Sequence, residues 1–481
     1  MKKFICLLLS LVFLLTLFGC KKSSDNGDNP NNTGESETGN GTAFSTVRKQ
    51  DYSGKEFKLL YRDGADEYAK ADFISESMNG SILNDRIWER NNLVSETYNI
   101  KLTILTEADV GGDVTTAIRT NNLSGGSEYD AYSHKRDVIP LSNEGLLYDL
   151  NKLEDIDTTQ EWWDQDYVKS MTINDSIYTL IGDFSISSLR QASVLCFNKQ
   201  LFTDLNLEAP YQAVRDGKWT YEKLLTYITD YSSDLDSNNK MDTEDQYGLV
   251  GWGVEASYSI FYGSGFSFAK INNDKQLEIN YSKEDAENIY TQIYRIWSIE
   301  QNYINMTSKV EQHSYPFDIF KDNRALFCDT TLRKVGTMLS DMEAQYGIVP
   351  QPKYSEDQDR YYSYTAYTIP LVCVPAVVND PAMVGNLIEA YCAASYDIVT
   401  PDIFEIVTKY QEAHDPDSSE MIDIVIRTKT FDPAHWFYLN GYHNFSRQLL
   451  TADMVNTSSY LKSQTNGADK QVNTINAAYK K

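Results

Sequence analysis

The stretch DLDSNNKMDTED, residues 234–245, sets carboxylates and amides at the intervals a calcium ion needs. With Asp234 as position 1, Asp236 falls at 3, Asn238 at 5, Lys240 at 7, Asp242 at 9 and Asp245 at 12. These are the ligand positions of an EF-hand-type loop, in which position 7 gives only its backbone carbonyl, so Lys240 is no obstacle. Hard oxygen donors with nothing soft among them suit Ca2+ rather than zinc. Asn239 stands where the pattern wants glycine, and asparagine is the residue next most able to take a left-handed backbone. Asp245 stands where Glu is usual, and its shorter reach gives the metal a single oxygen. Met241 is expected to turn inward. Thr220 is expected to cap the incoming helix YEKLLTYITDY, whose Leu224, Leu225 and Ile228 define its buried face. Every ligand comes from one local loop, and no nucleophile or base is grouped with it. The expectation is therefore a structural calcium staple with no catalytic role, and the plain alternative is an acidic surface turn.

Other reactive constellations are sparse. There is no GxSxG, no HExxH and no Gly-rich phosphate loop followed by Lys-Ser or Lys-Thr. The five histidines are scattered. A glycosidase needs two carboxylates about 5–9.5 Å apart, but a chain with 69 Asp and Glu can always supply a pair, so their presence decides nothing. No catalytic residue is assigned, and the chain reads as a non-enzyme. Cys196, Cys328, Cys373 and Cys392 each sit in apolar surroundings without a CxxC or a Cys/His zinc spacing. Buried thiols are expected, with disulfides open in an exported protein.

Export is written in the first twenty residues. Lys2 and Lys3 precede an apolar run from Phe4 to Phe18, which ends at LFGC. A basic start, a short apolar core and a small residue before the cleavage point describe a secretory leader, too short to span comfortably where about 20 apolar residues are needed. The segment closely resembles a bacterial lipobox, with bulky Phe18 as its one departure. By that resemblance residues 1–19 are a signal peptide and Cys20 carries the lipid. Acyl chains acting together anchor firmly where one chain binds marginally. Residues 20–50, rich in Gly, Ser, Asn and Asp, form a tether with a reach of roughly 25–30 Å. The expected location is the outer face of the cell membrane, or the periplasm. A formal charge of −26, which loss of Lys2 and Lys3 makes more negative still, excludes nucleic acid as a partner.

Beyond the tether, strand-like and helix-like segments alternate. EFKLLYRDG, IKLTIL and EYDAYSHKR read as strands; SILNDRIWERNNLVSETYN and DVTTAIRTNNL read as helices. This βαβαβ opening is that of an α/β protein, in which ligands bind at the carboxyl ends of strands. The succession then continues through GLLYDLNKL, EWWDQDYVKSMTINDSIYTLIGD, SVLCFNKQLFTDL, RDGKWTYEKLL, DQYGLVGW, ALFCDTTL, DMEAQYGIVPQPKY and SSEMIDIVI. It resembles bacterial extracellular solute-binding proteins of the sugar-type family 1, the lipid-anchored receptors of ABC importers, from Ser53 to about Leu450.

The resemblance implies a two-lobe periplasmic-binding-protein-like fold (class II type), each lobe a mixed sheet flanked by helices. Crossings near Arg190–Leu195 and Tyr364–Val374 would act as the hinge. Residues 53–192 plus 370–398 form lobe 1, and 193–368 plus 399–481 form lobe 2. A monomer is expected to capture a mono- or oligosaccharide between the lobes and deliver it to a membrane permease. The alternatives are a surface-anchored glycoside hydrolase, or a glycan-capture lipoprotein without an ABC permease. In that frame the residues expected to line the cleft are Asp63, His134, Arg136, Asp183 and Arg190 from lobe 1. From lobe 2 and the crossings come Trp252, Glu255, Tyr258, Asp329, Tyr364 (with Tyr367 nearby) and Trp436. Aromatic rings offer platforms for the apolar faces of a sugar, and the charged groups satisfy its hydroxyls.

Overall fold

A computed structural model of the protein describes residues 42–62, 70–110, 113–125, 128–297, 302–305, 314–403, 415–451 and 456–480. Cys20 and Asp63 lie outside these residues. The expected opening is present in order: strand Lys55–Tyr61, helix Ile82–Tyr98, strand Ile100–Thr106, helix Val114–Ser124 and strand Ala131–His134. In the first helix Ile87, Val94 and Tyr98 are buried, and Asn99 ends it in the left-handed conformation, with its N–H on the carbonyls of Ser95 and Glu96. The three strands are mutually parallel, with Lys55–Tyr61 in the middle. Leu371–Cys373 returns from far along the chain to add an antiparallel edge beside Ala131–His134.

A second sheet of five strands has the order Tyr346–Val349, Ser193–Asn198, Ala325–Thr331, Tyr247–Trp252, Asn302–Asn305. Its first three strands are antiparallel neighbours, and the last three run parallel. Ser193–Asn198 and Ala325–Thr331 are buried along their whole lengths, because helices cover both faces, as their unbroken apolar runs require.

Between the sheets the chain passes twice, side by side: Ala192 bridges antiparallel to Thr365, and Ala366 N–H donates to the Gln191 carbonyl at 3.1 Å. A third segment, Lys429–Thr430, pairs parallel with Ser363–Tyr364, and Lys429 forms an ion pair with Asp164.

Three boundaries differ from expectation. The tether was expected to reach residue 50, yet Ala43–Thr46 is a helix whose N–H groups at Ala43 and Phe44 are capped by Asp397 at 3.0 and 2.8 Å, and Phe44 and Val47 are buried. Two apolar side chains suffice to dock it. Val399 and Ile403, beyond the expected lobe boundary, pack with Ile87 and Ile186 near the first sheet. The C-terminal helix Thr457–Ala478 serves both parts. Asn476 exchanges hydrogen bonds with the backbone of Leu277, while Tyr479 stacks edge-on against Tyr178 and meets Ser142 at 3.0 Å.

Candidate functional site

The last residues of the first-sheet strand Ala131–His134 lead directly into the turn that carries Arg136. Its guanidinium lies between two tyrosine rings, 4.2 Å from the centroid of Tyr367 and 4.2 Å from that of Tyr438. Nη1 donates to the His435 carbonyl at 2.7 Å. Opposite, the second-sheet strand Tyr247–Trp252 ends at the helix Gly253–Gly263. Glu255, Tyr258 and Tyr262 recur there at intervals that place them on one helical face. Tyr258 meets Tyr364 at 5.6 Å, Tyr367 at 6.3 Å and His435 at 4.9 Å. Tyr262 stacks on Tyr364 at 5.6 Å with the planes 14° apart. The end of one sheet, the first turns of a helix on the other, and the second crossing thus meet at Arg136.

Glu255 keeps some exposure, but burial among these groups lifts its carboxyl to about 7, although its own backbone N–H and the cations Lys334, Arg447 and Arg136 favour the charged form. Trp252, half-buried, lies under the Lys334 ammonium at 4.4 Å. His435 is neutral: burial and Arg136 hold its imidazole well below the usual range. Its Nδ1 can only donate to the His443 carbonyl at 2.6 Å, so Nε2 accepts from the Tyr364 hydroxyl at 3.3 Å. The turn bearing His435 is fixed by Asp432, whose carboxylate accepts from the N–H groups of Ala434, Phe268 and Ala269 at 3.0–3.2 Å.

Of the residues singled out in the sequence, Arg136, Glu255, Tyr258 and Tyr364 lie in one group, and Trp252 borders it through Lys334. Trp436 is a correction. It is 1% exposed, edge-on to Tyr167 at 5.6 Å and against Phe431 at 5.5 Å, so its faces are spent on core packing. Asp329 is a second correction, since its carboxyl is taken up by Ser259 at 2.7 and 2.8 Å and by Gln351 at 3.3 Å. It ties the Glu255 helix to its own strand. Asp183 is likewise buried and accepts from Thr400 at 2.7 Å; burial lifts it to about 7. His134 is 3% exposed, and burial together with Arg62 lowers it to about 4, leaving a neutral ring in the sheet. Arg190 ends the 3-10 turn Ile186–Arg190 at the first crossing, half-buried.

Sequence reasoning missed Tyr438, two residues from Trp436. Its hydroxyl reaches Asp137 and its ring covers Arg136, while its backbone sits at φ +54°, a costly conformation for an aromatic residue. Lys334 and Arg447 were missed too, because a lone cation on a helix carries no pattern.

The 234–245 loop stands apart from this group in its contacts. Ser233 and Gln246 pair backbone to backbone at 3.1 Å in both directions and close the base of the twelve-residue excursion. Thr220 caps the preceding helix through Lys223 N–H at 3.3 Å, and Leu224, Leu225 and Ile228 are buried. One carboxylate oxygen from each of Asp234, Asp236 and Asp245 lies within 4.8 Å of the others, a separation one ion can bridge. Asn239 does adopt positive φ, at +62°. Asn238 Nδ2 reaches Asp236 at 2.8 Å and Asp242 at 3.3 Å, and Lys240 projects into solvent, as position 7 permits. The donor set fits Ca2+. Met241 is the exception: it stays 36% exposed, because no second helix follows to cover it.

Cys196, Cys328, Cys373 and Cys392, the cysteines among the described residues, are buried thiols. No described helix is long and apolar enough to cross a membrane.

No family model matches the sequence, and neither does any curated protein. Solved structures do match in fold. One is the galacto-N-biose-/lacto-N-biose I-binding protein of the ABC transporter from Bifidobacterium longum, in complex with lacto-N-biose (11% identity, 88% of this chain and 98% of that chain covered, TM-score 0.58). Another is the extracellular solute-binding protein from Staphylococcus aureus in complex with maltose (11%, 88% and 98%, TM-score 0.56). A third is an ABC substrate-binding protein from Listeria monocytogenes in complex with cycloalternan (15%, 88% and 99%, TM-score 0.52). This chain has the two-lobe, periplasmic-binding-protein-like α/β fold of such sugar-binding proteins.

Proposed function

We propose that the protein is the solute receptor of an ABC importer, closing two lobes on a mono- or oligosaccharide and handing it to a membrane permease. The observation that carries this reading is the convergence at Arg136. One lobe gives Arg136, the other gives Glu255, Tyr258 and Trp252, and the crossings between them give Tyr364 and Tyr367. Rings and charged groups gathered from both sides of a hinge are what recognition of a sugar by lobe closure needs. The sugars held by the structural neighbours support the same solute class. No step of bond making or breaking is assigned to these residues.

The same reading places the chain on the outer face of the membrane, held through a lipid on Cys20, and gives Ca2+ a structural role at Asp234, Asp236, Asn238, Lys240, Asp242 and Asp245. The test is a thermal-shift screen of the full chain against glycan and peptide libraries. A solute at 100 times its Kd adds about 2.7 kcal/mol to stability. Stabilisation by a glycan that is recovered intact supports the receptor. Hydrolysis of that glycan would instead favour a glycoside hydrolase, and hits confined to peptides would refute the sugar.

A further inference from the structure

Arg136 is 4% exposed, yet it forms no ion pair among the described residues. Its Nη1 is spent on a neutral carbonyl, that of His435, and its Nε is buried with no hydrogen-bond partner. Asp137, next in sequence, is committed to Lys135 at 2.7 Å and to the Tyr438 hydroxyl. A buried cation lacking a counter-ion is among the costliest groups to enclose. The two tyrosine faces at 4.2 Å offset part of that cost without supplying an anion. Glu255, the one carboxyl on this face of its helix, feels Arg136 together with Lys334 and Arg447 but forms no ion pair with Arg136 among the described residues.

We propose that the solute carries an anionic group, a carboxylate, sulfate or phosphate on a sugar, and that the Nε edge of Arg136 receives it. This inference rests on the receptor reading above and adds to it the charge of the solute. A guanidinium edge fits the two oxygens of such a group through paired N–H donors, and the tyrosines hold the fork in plane for it. A neutral sugar can satisfy Nε with a hydroxyl but leaves the guanidinium without a counter-ion.

Titration calorimetry of the full chain tests it with matched pairs at low and high salt. The pairs are trigalacturonate and its methyl ester, 3′-sialyllactose and lactose, a sulfated chondroitin disaccharide and its desulfated form, and glucose 6-phosphate and glucose. At least one acidic member is expected to bind tenfold or more tightly than its uncharged partner, and which one identifies the anion. Arg136→Gln should weaken that member by about 10- to 100-fold and its uncharged partner far less, so that the preference between the two narrows. Arg136→Lys, which keeps charge but loses the paired edge, should fall between and guards against a misfolded Gln variant. Binding of a neutral member as tightly as its acidic partner overturns this inference and leaves the receptor reading standing. An acidic preference undiminished in both variants also overturns it. No binding by any member, charged or neutral, counts against both readings.

Discussion

At Trp436 the deciding fact is what surrounds the ring. The sequence sets Trp436 and Trp252 alike among the expected cleft residues, but only Trp252 keeps a partly open ring. Trp436→Ala should therefore cost about 3–5 kcal/mol of stability and alter solute affinity only through the fold. Trp252→Ala should weaken binding while leaving the melting temperature within a few degrees of wild type. Equilibrium denaturation with titration calorimetry on both variants checks this, and a stable Trp436→Ala would refute the packing assignment. Buried carboxyls give a second expectation. Glu389 accepts from the indole N–H groups of Trp162 at 3.1 Å and Trp163 at 3.0 Å, yet burial lifts its carboxyl to about 8. Asp183 is lifted to about 7 by the same cause. A carboxyl raised in the folded state binds a proton there that the unfolded chain has released. Its contribution is whole below the unfolded value of about 4 and is lost as pH rises through the folded value. These two groups should thus lower the melting temperature progressively from about pH 4 to pH 8. Glu389→Gln should flatten the upper end of that decline; a profile parallel to wild type up to pH 8 would contradict the assignment.

The element most legible beforehand is the 234–245 loop, because all its groups lie within twelve consecutive residues. Local spacing foretold the Thr220 cap, the buried face of the helix and the positive φ at Asn239. It failed at Met241, whose burial depends on an element that would have to pack over it. Scanning calorimetry with millimolar Ca2+ against chelator should raise the melting temperature of wild type and leave Asp234→Ala/Asp236→Ala unmoved. No rise in wild type would reduce the loop to an acidic turn stitched by its own amides. The helix Gly253–Gly263 shows the opposite case. Glu255, Tyr258 and Tyr262 share one of its faces, but spacing cannot say whether such a face meets core or cleft. Tyr262 went one way, stacked on Tyr364, and Glu255 the other, keeping some exposure.

At the scale of the whole chain, two passages between the sheets lie adjacent at Ala192 and Thr365. Paired strands of this kind bend together, so a solute touching both lobes should favour the closed form. Small-angle scattering with a saturating solute from the thermal-shift screen is expected to give a smaller radius of gyration than without it; an identical profile would oppose closure. The lipid anchor is tested separately. Cys20→Ser should release a folded protein into the medium or periplasm, and continued fractionation with membranes would exclude lipidation at that residue.

By itself the sequence determined what depends on near neighbours: the alternating strands and helices from Lys55 to His134, the capped helix before the acidic loop, and the apolar surroundings of the four cysteines. Hydrophobic period, capping and turn chemistry act over a few residues, so one chain suffices to read them. Tertiary structure alone decided which aromatic residues are core and which meet a charge. Arg136 finds Tyr367 and Tyr438 across hundreds of residues, Asp329 is consumed by Ser259 70 positions earlier, and Trp436 vanishes between Tyr167 and Phe431. Those outcomes depend on how two sheets and their crossings pack in space, and no spacing along the chain encodes that distance.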